Sequence, residues 1–272
     1  MDSLYRGMDR LDAGAIAAAL GPRARELEIE VVESCGSTNA ALLERPDTDI
    51  PRLLAAEMQT AGRGRHGRRW YGVPGAAITF SLRRRMRRPP RELGGATLAV
   101  GVAVARALRA LGASEIALKW PNDLLATGRN AGAKLGGILT QTRVQGGAVI
   151  AVIGVGVNCR AMPGLAARLR RSIATLEELV RPLPPRNLLI ARIASELLDV
   201  LQAFDASGLA VLREEWESMH AHAGQRIQVR LADGRVLAGV PAGLAEDGAL
   251  RLRTRTGVRA LHSGRVVTAR PG

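Results

Sequence analysis

The chain has 272 residues, 47% of them hydrophobic, which is enough for one large domain, or a main domain with a small companion, around a sizeable core. Two cysteines are too few for a disulfide framework or a cysteine-based zinc cage. No apolar run is long enough to cross a bilayer, and acids stand near the N-terminus where a signal peptide would be apolar, so the sequence predicts a cytoplasmic protein without a membrane partner.

Basic residues dominate the charge, and the formal net charge is +14. A nucleic-acid partner would suit such a charge, but the basic residues are scattered as much as they are clustered. Only two of the 39 basic residues are lysines, Lys119 and Lys134, and each lies within a distinctive sequence. A lysine ammonium is a compact point charge, whereas a guanidinium is a wide planar fork, so these two lysines indicate sites without room for arginine.

Helical and strand patterns alternate through the first 220 residues. The helical patterns cover 9–20, 40–44, 92–111, 187–204 and 208–220. The strand patterns cover 27–33, 53–59, 76–82, 115–119, 134–143 and 148–158, the last two forming a hairpin. Between them, the arginine-rich stretch 83–91 is predicted to be a solvated basic turn.

Short strands follow one another closely after residue 222, at 225–231, 235–240, 249–255 and 258–267, with glycine-containing turns between them. Four or five short strands in about 50 residues are typical of a small barrel. The sequence therefore predicts an N-terminal extension over 1–26, a main domain over 27–222 and a barrel over 223–272.

The segment Gly62-Arg63-Gly64-Arg65-His66-Gly67-Arg68-Arg69-Trp70 is too rich in glycine for a stable helix or strand. Its spacing matches G-x-G-x-x-G, but a dinucleotide-binding turn requires a following helix and a later acidic residue. Pro74 and Gly75 follow instead, and the later region is basic, so this interpretation fails. The remaining alternatives are a solvated basic loop and a loop whose backbone N–H groups and guanidinium groups wrap an anion.

Three further segments accompany this loop: Ser37-Thr38-Asn39, Lys119-Trp120-Pro121-Asn122-Asp123 and Lys134-Leu135-Gly136-Gly137-Ile138-Leu139, with Gln59 directly before the loop. Together, in this order and spacing, they resemble the biotin protein ligases, also called biotin–acetyl-CoA-carboxylase ligases. The resemblance implies an α+β fold, in which a mixed sheet flanked by helices (a class II synthetase-like biotin/lipoate ligase catalytic domain) precedes a small SH3-like β-barrel.

The resemblance also implies an ATP-dependent ligase that forms biotinyl-5′-AMP and pyrophosphate and then transfers biotin to a lysine of the biotin carboxyl carrier protein of acetyl-CoA carboxylase. Biotin and ATP are then the substrates, with Mg²⁺ as the accompanying ion. Only a short segment precedes the catalytic region, so we expect the form without a DNA-binding domain and no sequence-specific DNA binding. A homodimer is an additional candidate assembly.

Residue roles follow from the matched motifs. The implied catalytic residues are Arg65, Lys134 and Asp123. The implied biotin-binding residues are Ser37, Thr38, Asn39, Gln59, Arg63, Gly64, Arg65 and Lys134. The implied ATP- and adenylate-binding residues are Arg63, Arg65, Trp70, Lys119, Asn122, Lys134 and Asn158. No metal site is assigned, and Asp123 is the one candidate metal ligand.

Ordinary structural roles stay open for several of these residues. Ser37 or Thr38 would also suit a helix N-cap, Trp70 core packing, and Asp123 a turn. Gly137 and the glycines in Gly154-Val155-Gly156 would either admit a ligand close to the backbone or mark a bulge. A lipoate or octanoate ligase is the nearest rival function, although Gln59 and the Ser37-Thr38 pair favour a polar ureido ring over an apolar slot. A non-enzymatic nucleic-acid-binding protein is the rival from another class.

Overall fold

The computed structural model describes residues 9–270 and contains two sheets. The helices are, in chain order, α1 (Ala13–Leu20), α2 (Thr38–Glu44), α3 (Ala96–Ala110), α4 (Leu165–Leu169), α5 (Leu176–Leu179), α6 (Arg186–Ser207) and α7 (Ala210–Ser218). The strands of the large sheet are β1 (Glu28–Cys35), β2 (Arg52–Gln59), β3 (Ala77–Met86), β4 (Ile116–Lys119), β5 (Asp123–Ala126), β6 (Lys134–Gln145) and β7 (Ala148–Asn158). The strands of the small sheet are β8 (Arg226–Arg230), β9 (Val236–Leu244), β10 (Leu250–Thr254), β11 (Gly257–Leu261) and β12 (Arg265–Arg270).

The large sheet has the strand order β1-β2-β3-β7-β6-β5-β4. Strands β1 and β2 are parallel, and all other neighbours are antiparallel, so the sheet is mixed as predicted. Long helices α3 and α6 cover one face together with α1 and α7, and the main apolar core lies between them and the sheet. This arrangement confirms the predicted fold class.

Side chains alternate between the two faces of the central strands, as the pleat of a strand requires. Ile78, Phe80 and Leu82 of β3 point into the main core beneath α3 and α6. The opposite face, which we call the α2 face, carries Thr79 and Ser81, and Leu42 of α2 packs there on Leu54 and Val152. The two faces therefore differ in character: the helix-covered face is mainly apolar, and the other combines a small apolar cluster with polar side chains.

The first part of the arginine-rich stretch 83–91 is strand and not a solvated turn, so the prediction was wrong for 83–86, while 87–91 do turn the chain at the surface. Strand β3 continues to Met86 through these residues. Arg83 is 1% exposed and forms an ion pair with Asp47 at 3.2 Å, while Arg84 forms one with Asp205 of α6 at 2.8 Å. Carboxylates supplied by distant segments allow these arginines to lie inside the fold.

The N-terminal segment is attached by a buried guanidinium. Arg186, at the start of α6, donates hydrogen bonds to Asp9 at 3.1 Å and to Glu57 of β2 at 2.8 Å. Helix α1 begins after Asp12, whose side chain accepts a hydrogen bond from the N–H of Ala15 at 2.7 Å and so caps the helix. The first eight residues of the predicted extension and the last two of the predicted barrel lie outside the described residues.

The small sheet has five antiparallel strands in the order β11-β10-β9-β8-β12. The single strand predicted over 258–267 is two strands, because residues 262–264 turn the chain between them. The apolar residues of the small sheet belong to the same core as the main domain. The indole N–H of Trp120 donates to the carbonyl of Gly248 at 3.2 Å, and Lys119 Nζ donates to the carbonyl of Val266 at 3.3 Å. The barrel is thus docked directly on the β4–β5 turn.

Residues 219–221 connect α7 to the barrel and pair with the outer edge of β4. The N–H of Leu118 donates to the carbonyl of Met219 at 2.8 Å, and the N–H of Ala221 donates to the carbonyl of Leu118 at 2.9 Å. His220 and His222 lie here, with ring centroids 5.9 Å apart. Burial lowers the pKa of His220 to about 4, and the charge of a protonated His222 acts in the same direction. Burial also lowers the pKa of His222 to about 4, and the charge of Lys119 acts in the same direction. Both imidazoles are therefore neutral in the folded protein.

No helix among residues 9–270 is long and apolar enough to cross a membrane.

We expect the junction histidines to destabilise the protein in mild acid. Their folded pKa of about 4 lies below the ordinary value of about 6.5, so between these pH values the unfolded chain binds more protons. The free energy of unfolding should be unaffected by them above pH ~6.5 and should fall by roughly 3 kcal/mol per histidine as the pH decreases towards 4. Urea unfolding at several pH values measures this, and His222→Gln should reduce the pH slope. An identical slope in both proteins would contradict the assignment.

Candidate active site

A cavity of about 330 Å³ lies on the α2 face of the large sheet, against the barrel. Twelve of the thirteen residues predicted for the site line it. They are Ser37, Thr38, Asn39, Gln59, Arg63, Gly64, Arg65, Trp70, Lys119, Asn122, Asp123 and Lys134. These residues come from segments up to about 100 positions apart, and the sheet brings them together because β2, β3, β7, β6 and β5 are consecutive neighbours.

Asn158 is the exception, and the structure does not place it against the cavity. Its side chain is 4% exposed, and its amide nitrogen donates to the carbonyls of Lys134 at 3.2 Å and Ala174 at 3.3 Å. The structure therefore gives Asn158 hydrogen bonds within the fold, and its predicted contact with the adenylate stays a prediction. Because Asn158 holds the backbone of Lys134, it acts on the site from behind.

One end of the cavity is lined by uncharged hydrogen-bonding groups. Ser37 precedes α2 and accepts a long hydrogen bond of 3.5 Å from the N–H of Ala40, so it serves as the N-cap while also lining the cavity. Gln59 Oε1 accepts a hydrogen bond from the N–H of Thr38 at 2.8 Å, and the hydroxyl oxygen of Thr38 lies 3.2 Å from the same Gln59 oxygen. Neutral donors and acceptors are thus fixed in position at this end.

The glycine-arginine loop (residues 62–70) forms a narrow hairpin rather than an open cradle. Trp70 N–H donates to the carbonyl of Gly62 at 3.0 Å, and Gly64 N–H donates to the carbonyl of Arg68 at 2.6 Å. His66 and Gly67 both have positive φ at the tip, as a tight hairpin turn requires. The N–H of Gly64 is therefore already occupied within the loop, whereas the side chains of Arg63 and Arg65 line the cavity.

Two glycines of β7, Gly154 and Gly156, leave space for side chains of the site and do not mark a β-bulge. The pairing of β6 with β7 is continuous through Gly154 and Gly156, which excludes a bulge at these positions. A Cβ on Gly156 would lie 2.5 Å from the Trp70 indole, and a Cβ on Gly154 would overlap the carboxamide of Asn39. Both glycines therefore make room for cavity-lining side chains, Trp70 and Asn39.

The opposite end of the cavity is strongly cationic. Lys134 Nζ donates a hydrogen bond to Asp123, with which it forms an ion pair, and it lies 6.0 Å from the centroid of the Trp70 ring. Burial lowers the pKa of Lys134, an effect that the charge of Asp123 opposes. Burial likewise lowers the pKa of Lys119 and of Arg65.

Four arginines to which the motifs gave no role also line the cavity: Arg68 and Arg69 of the glycine-arginine loop, and Arg171 and Arg265 from elsewhere in the chain. Arg171 is brought in because the chain after it pairs with the start of β6, where Lys134 N–H donates to the carbonyl of Ser172 at 3.1 Å. Arg265 belongs to β12 of the barrel. Both lie among many other arginines in the sequence, so no local signal distinguishes them.

Among the described residues that line the cavity, Asp123 is the only acid. One carboxylate faces several cations, and burial lowers the pKa of Arg171 as it does that of the lysines. Bringing positive groups out of water in this way is unfavourable until an anion compensates them. The site is therefore suited to a ligand with several negative charges at one end and a neutral polar group at the other.

Comparison with known proteins agrees with this geometry. Residues 31–158 match the biotin/lipoate A/B protein ligase family, and residues 222–268 match the biotin protein ligase C-terminal domain. The chain is 34% identical over 233 residues to the biotin–acetyl-CoA-carboxylase ligase of Mycobacterium tuberculosis, covering 83% of each protein. It is 32% identical over 247 residues to the bifunctional ligase/repressor BirA of Escherichia coli, covering 90% of this chain and 71% of that protein.

The same family appears among solved structures. The biotin protein ligase of Aquifex aeolicus in complex with biotin and ATP superposes with a TM-score of 0.73 at 24% identity, covering 90% of this chain and 99% of that one, and so supports the fold. The chain belongs to the biotin protein ligase family, which confirms the resemblance identified from its motifs, and it is a ligase.

We expect Gly156→Ala to displace the Trp70 indole, because the new methyl group would overlap it inside a packed wall. Binding of a ligand that stacks on this indole should weaken about tenfold or more, at a loss of stability of roughly 1–3 kcal/mol. Quenching of tryptophan fluorescence and thermal unfolding measure the two effects. Gly36→Ala is the matched control, since its methyl group would meet open space and should change neither quantity. Equal behaviour of the two variants would contradict the role of Gly156.

Proposed function

We propose that this ligase first joins biotin to ATP. A carboxylate oxygen of biotin attacks the α-phosphorus, the bond to the β-phosphate oxygen breaks, and biotinyl-5′-AMP and pyrophosphate form. The observation that carries the proposal is the polarity of the cavity, which is neutral and hydrogen-bonding at Ser37, Thr38 and Gln59 and cationic at Lys134 and Arg65. The ligands match this arrangement, because the ureido ring of biotin is neutral and hydrogen-bonding, whereas its carboxylate and the phosphates of ATP are negatively charged.

Positioned cations supply the main catalytic effect in this proposal. Negative charge accumulates on the oxygens around the α-phosphorus, and preorganised donors in a buried site stabilise it more than water does. Lys134 and Arg65 serve at the reacting centre, with Arg63 also close by on the loop. Arg68, Arg171 and Arg265 are suited to the departing pyrophosphate because they add charge at the same cationic end.

In the second step, a lysine of the biotin carboxyl carrier protein attacks the acyl carbon of the adenylate. The new C–N bond forms, the bond from carbon to the AMP oxygen breaks, and AMP leaves. The attacking amine must lose a proton, and Asp123 is the acid among the described cavity residues that is available to orient it or accept the proton. The target in acetyl-CoA carboxylase is the acceptor that we propose, in keeping with the name of the M. tuberculosis relative.

Mg²⁺ would enter with ATP in this proposal. Magnesium is usually held by one or two carboxylates together with substrate phosphates. Asp123 provides one carboxylate, and residues 9–270 contain no cluster of three or more metal-ligating side chains. The donor set therefore fits an ion carried by the nucleotide and not a resident metal site.

We further propose that the protein acts in the cytoplasm and does not read a DNA sequence. Described residues 9–26 contain one helix, α1, and a short 3-10 turn, and α1 packs on α6 rather than forming a helix-turn-helix. Retarded electrophoretic migration of one specific DNA duplex, but not of a duplex with scrambled sequence, would overturn this.

The domain boundaries at 26 and 222 stay predictions, and so does the homodimer, which sedimentation analysis would test.

Pyrophosphate release from ATP with Mg²⁺ tests the proposed function directly. Release is expected with biotin and not with lipoate or with neither compound, because the cavity offers paired polar groups that an apolar acyl chain would leave unsatisfied. Adding the carrier domain should then consume the adenylate and attach biotin to one lysine, as mass spectrometry would show. Release only with lipoate would transfer the substrate assignment to the rival ligase, and no release with either compound would contradict the proposed adenylation step.

Lys134→Met should lower the rate of adenylate formation by about 10²-fold or more, because it removes a preorganised cation and leaves Asp123 without its partner. Arg143→Met is the matched control: it removes a cation from the same strand β6 at an exposed position outside the cavity. We expect the control to keep the unmodified rate. Similar rates in the two variants would exclude Lys134 from the reaction.

ATP binding should take up protons at alkaline pH. Burial lowers the pKa of Lys119 and Lys134 in the free protein, and phosphate charges would favour their protonated forms. Affinity for ATP should therefore fall as the pH rises, beginning below the range in which exposed lysines titrate. Calorimetry in two buffers of different ionisation enthalpy measures the uptake, which Lys119→Met should reduce. An observed binding enthalpy that is independent of the buffer would contradict this expectation.

A further inference from the structure

Ser81 lies behind the neutral end of the cavity and is completely buried at 0% exposure. Its hydroxyl oxygen is 2.7 Å from the hydroxyl of Thr38 and 2.6 Å from Oδ1 of Asn39. Thr38 lines the cavity, whereas Ser81 does not. Ser81 can therefore influence a ligand only through Thr38 and Asn39.

Two backbone groups fix the orientation of the neighbouring amides. Asn39 Nδ2 donates to the carbonyl of Leu139 at 3.1 Å and to Gln141 Oε1 at 2.9 Å, so Oδ1 must be the atom that faces Ser81. Gln59 Oε1 accepts from the N–H of Thr38, so its NH₂ group is directed away from that bond. A carbonyl accepts only and an N–H donates only, so neither amide can be flipped without losing these bonds.

These fixed amides determine the position of each hydroxyl proton. An oxygen–oxygen distance of 2.6 Å between Ser81 and Asn39 requires a proton between them, and Ser81 is the only one of the two that has one to give. Ser81 then cannot donate to Thr38, so Thr38 must donate to Ser81 across 2.7 Å. The contact of Thr38 with Gln59 Oε1 is longer, at 3.2 Å, and that oxygen already accepts the backbone N–H.

Thr38 consequently presents only lone pairs to the cavity. Gln59 Nε2, which has no hydrogen-bond partner within the described residues, supplies donors at the same end of the cavity. An acceptor beside a donor is complementary to a ring N–H beside a ring C=O. Removing the proton of Ser81 from this chain would free Thr38 to donate as well as to accept.

We infer that Ser81 is a positioning residue that makes Thr38 an obligate hydrogen-bond acceptor, and that this fixed polarity selects a ligand with an N–H group at that point. The inference rests on the proposed function, in which that N–H belongs to the ureido ring of biotin. An analogue with an oxygen in place of the N–H would meet the lone pairs of Thr38 and be rejected. Without Ser81, Thr38 could rotate its proton towards that oxygen and tolerate it.

Calorimetric binding of biotin and of its cyclic carbamate analogues, in which each ring N–H is replaced in turn by oxygen, tests this inference. The ratio of the carbamate dissociation constant to that of biotin should be large in the unmodified protein and should fall about tenfold or more in Ser81→Ala for one of the analogues. Ser81→Cys keeps a weak donor at the position and should retain more of the selectivity.

Thr175→Val is the matched control, because it removes another buried hydroxyl, one that donates to Glu178 at 2.8 Å outside the cavity. Its ratio should equal that of the unmodified protein even if its stability falls. A Ser81→Ala protein that binds both ligands more weakly by the same factor would overturn the role of Ser81 and leave the proposed function intact. Failure of the unmodified protein to bind biotin would overturn the proposed function itself, and the inference with it.

Discussion

The alternation of side chains along the paired strands β3 and β7 is the constraint on which the site depends. Because successive residues of a strand point to opposite faces, Ile78 and Phe80 can complete an apolar core while Thr79 and Ser81 form a polar strip behind the cavity. The glycine opposite each polar residue then leaves space for a cavity-lining side chain. A shift of one residue in register would place polar groups in the core and close the cavity.

A second constraint is electrostatic. The cationic end of the cavity gathers positive groups from the glycine-arginine loop, the β4–β5 hairpin, the start of β6 and the barrel, and it holds Asp123 as their acidic neighbour among the described cavity residues. Burial lowers the pKa of Lys134 and Lys119, because removing an ammonium group from water makes its charged form less favourable. An anionic ligand compensates the buried positive groups. The burial that makes the site unfavourable without a ligand therefore also strengthens the binding of an anion.

Much of the fold and most of the site could be predicted from local patterns. Strands such as β6 and β7 follow from their β-branched content, and twelve predicted site residues line one cavity because the matched motifs stand at the ends of neighbouring strands. Strand β5 was missed because it is only four residues long and directly follows the Trp-Pro-Asn turn. The polar strip has a counterpart in the sequence, because Thr79 and Ser81 stand two residues apart within an otherwise apolar strand.

The sequence by itself determined the family, through motifs that need no knowledge of distant contacts, and the resemblance to that family implied the mixed sheet. Local periodicity indicated the small barrel, and the motifs gave the chemical types gathered at the site. Only the tertiary structure decided that Arg83 is buried against Asp47, that Asn158 supports Lys134 from behind, and that Arg171 and Arg265 reach the cavity. Local patterns give the period of an element and the position of a turn. They do not specify which remote carboxylate or carbonyl will meet a given side chain, because that is decided by long-range pairing and by the docking of one domain on another.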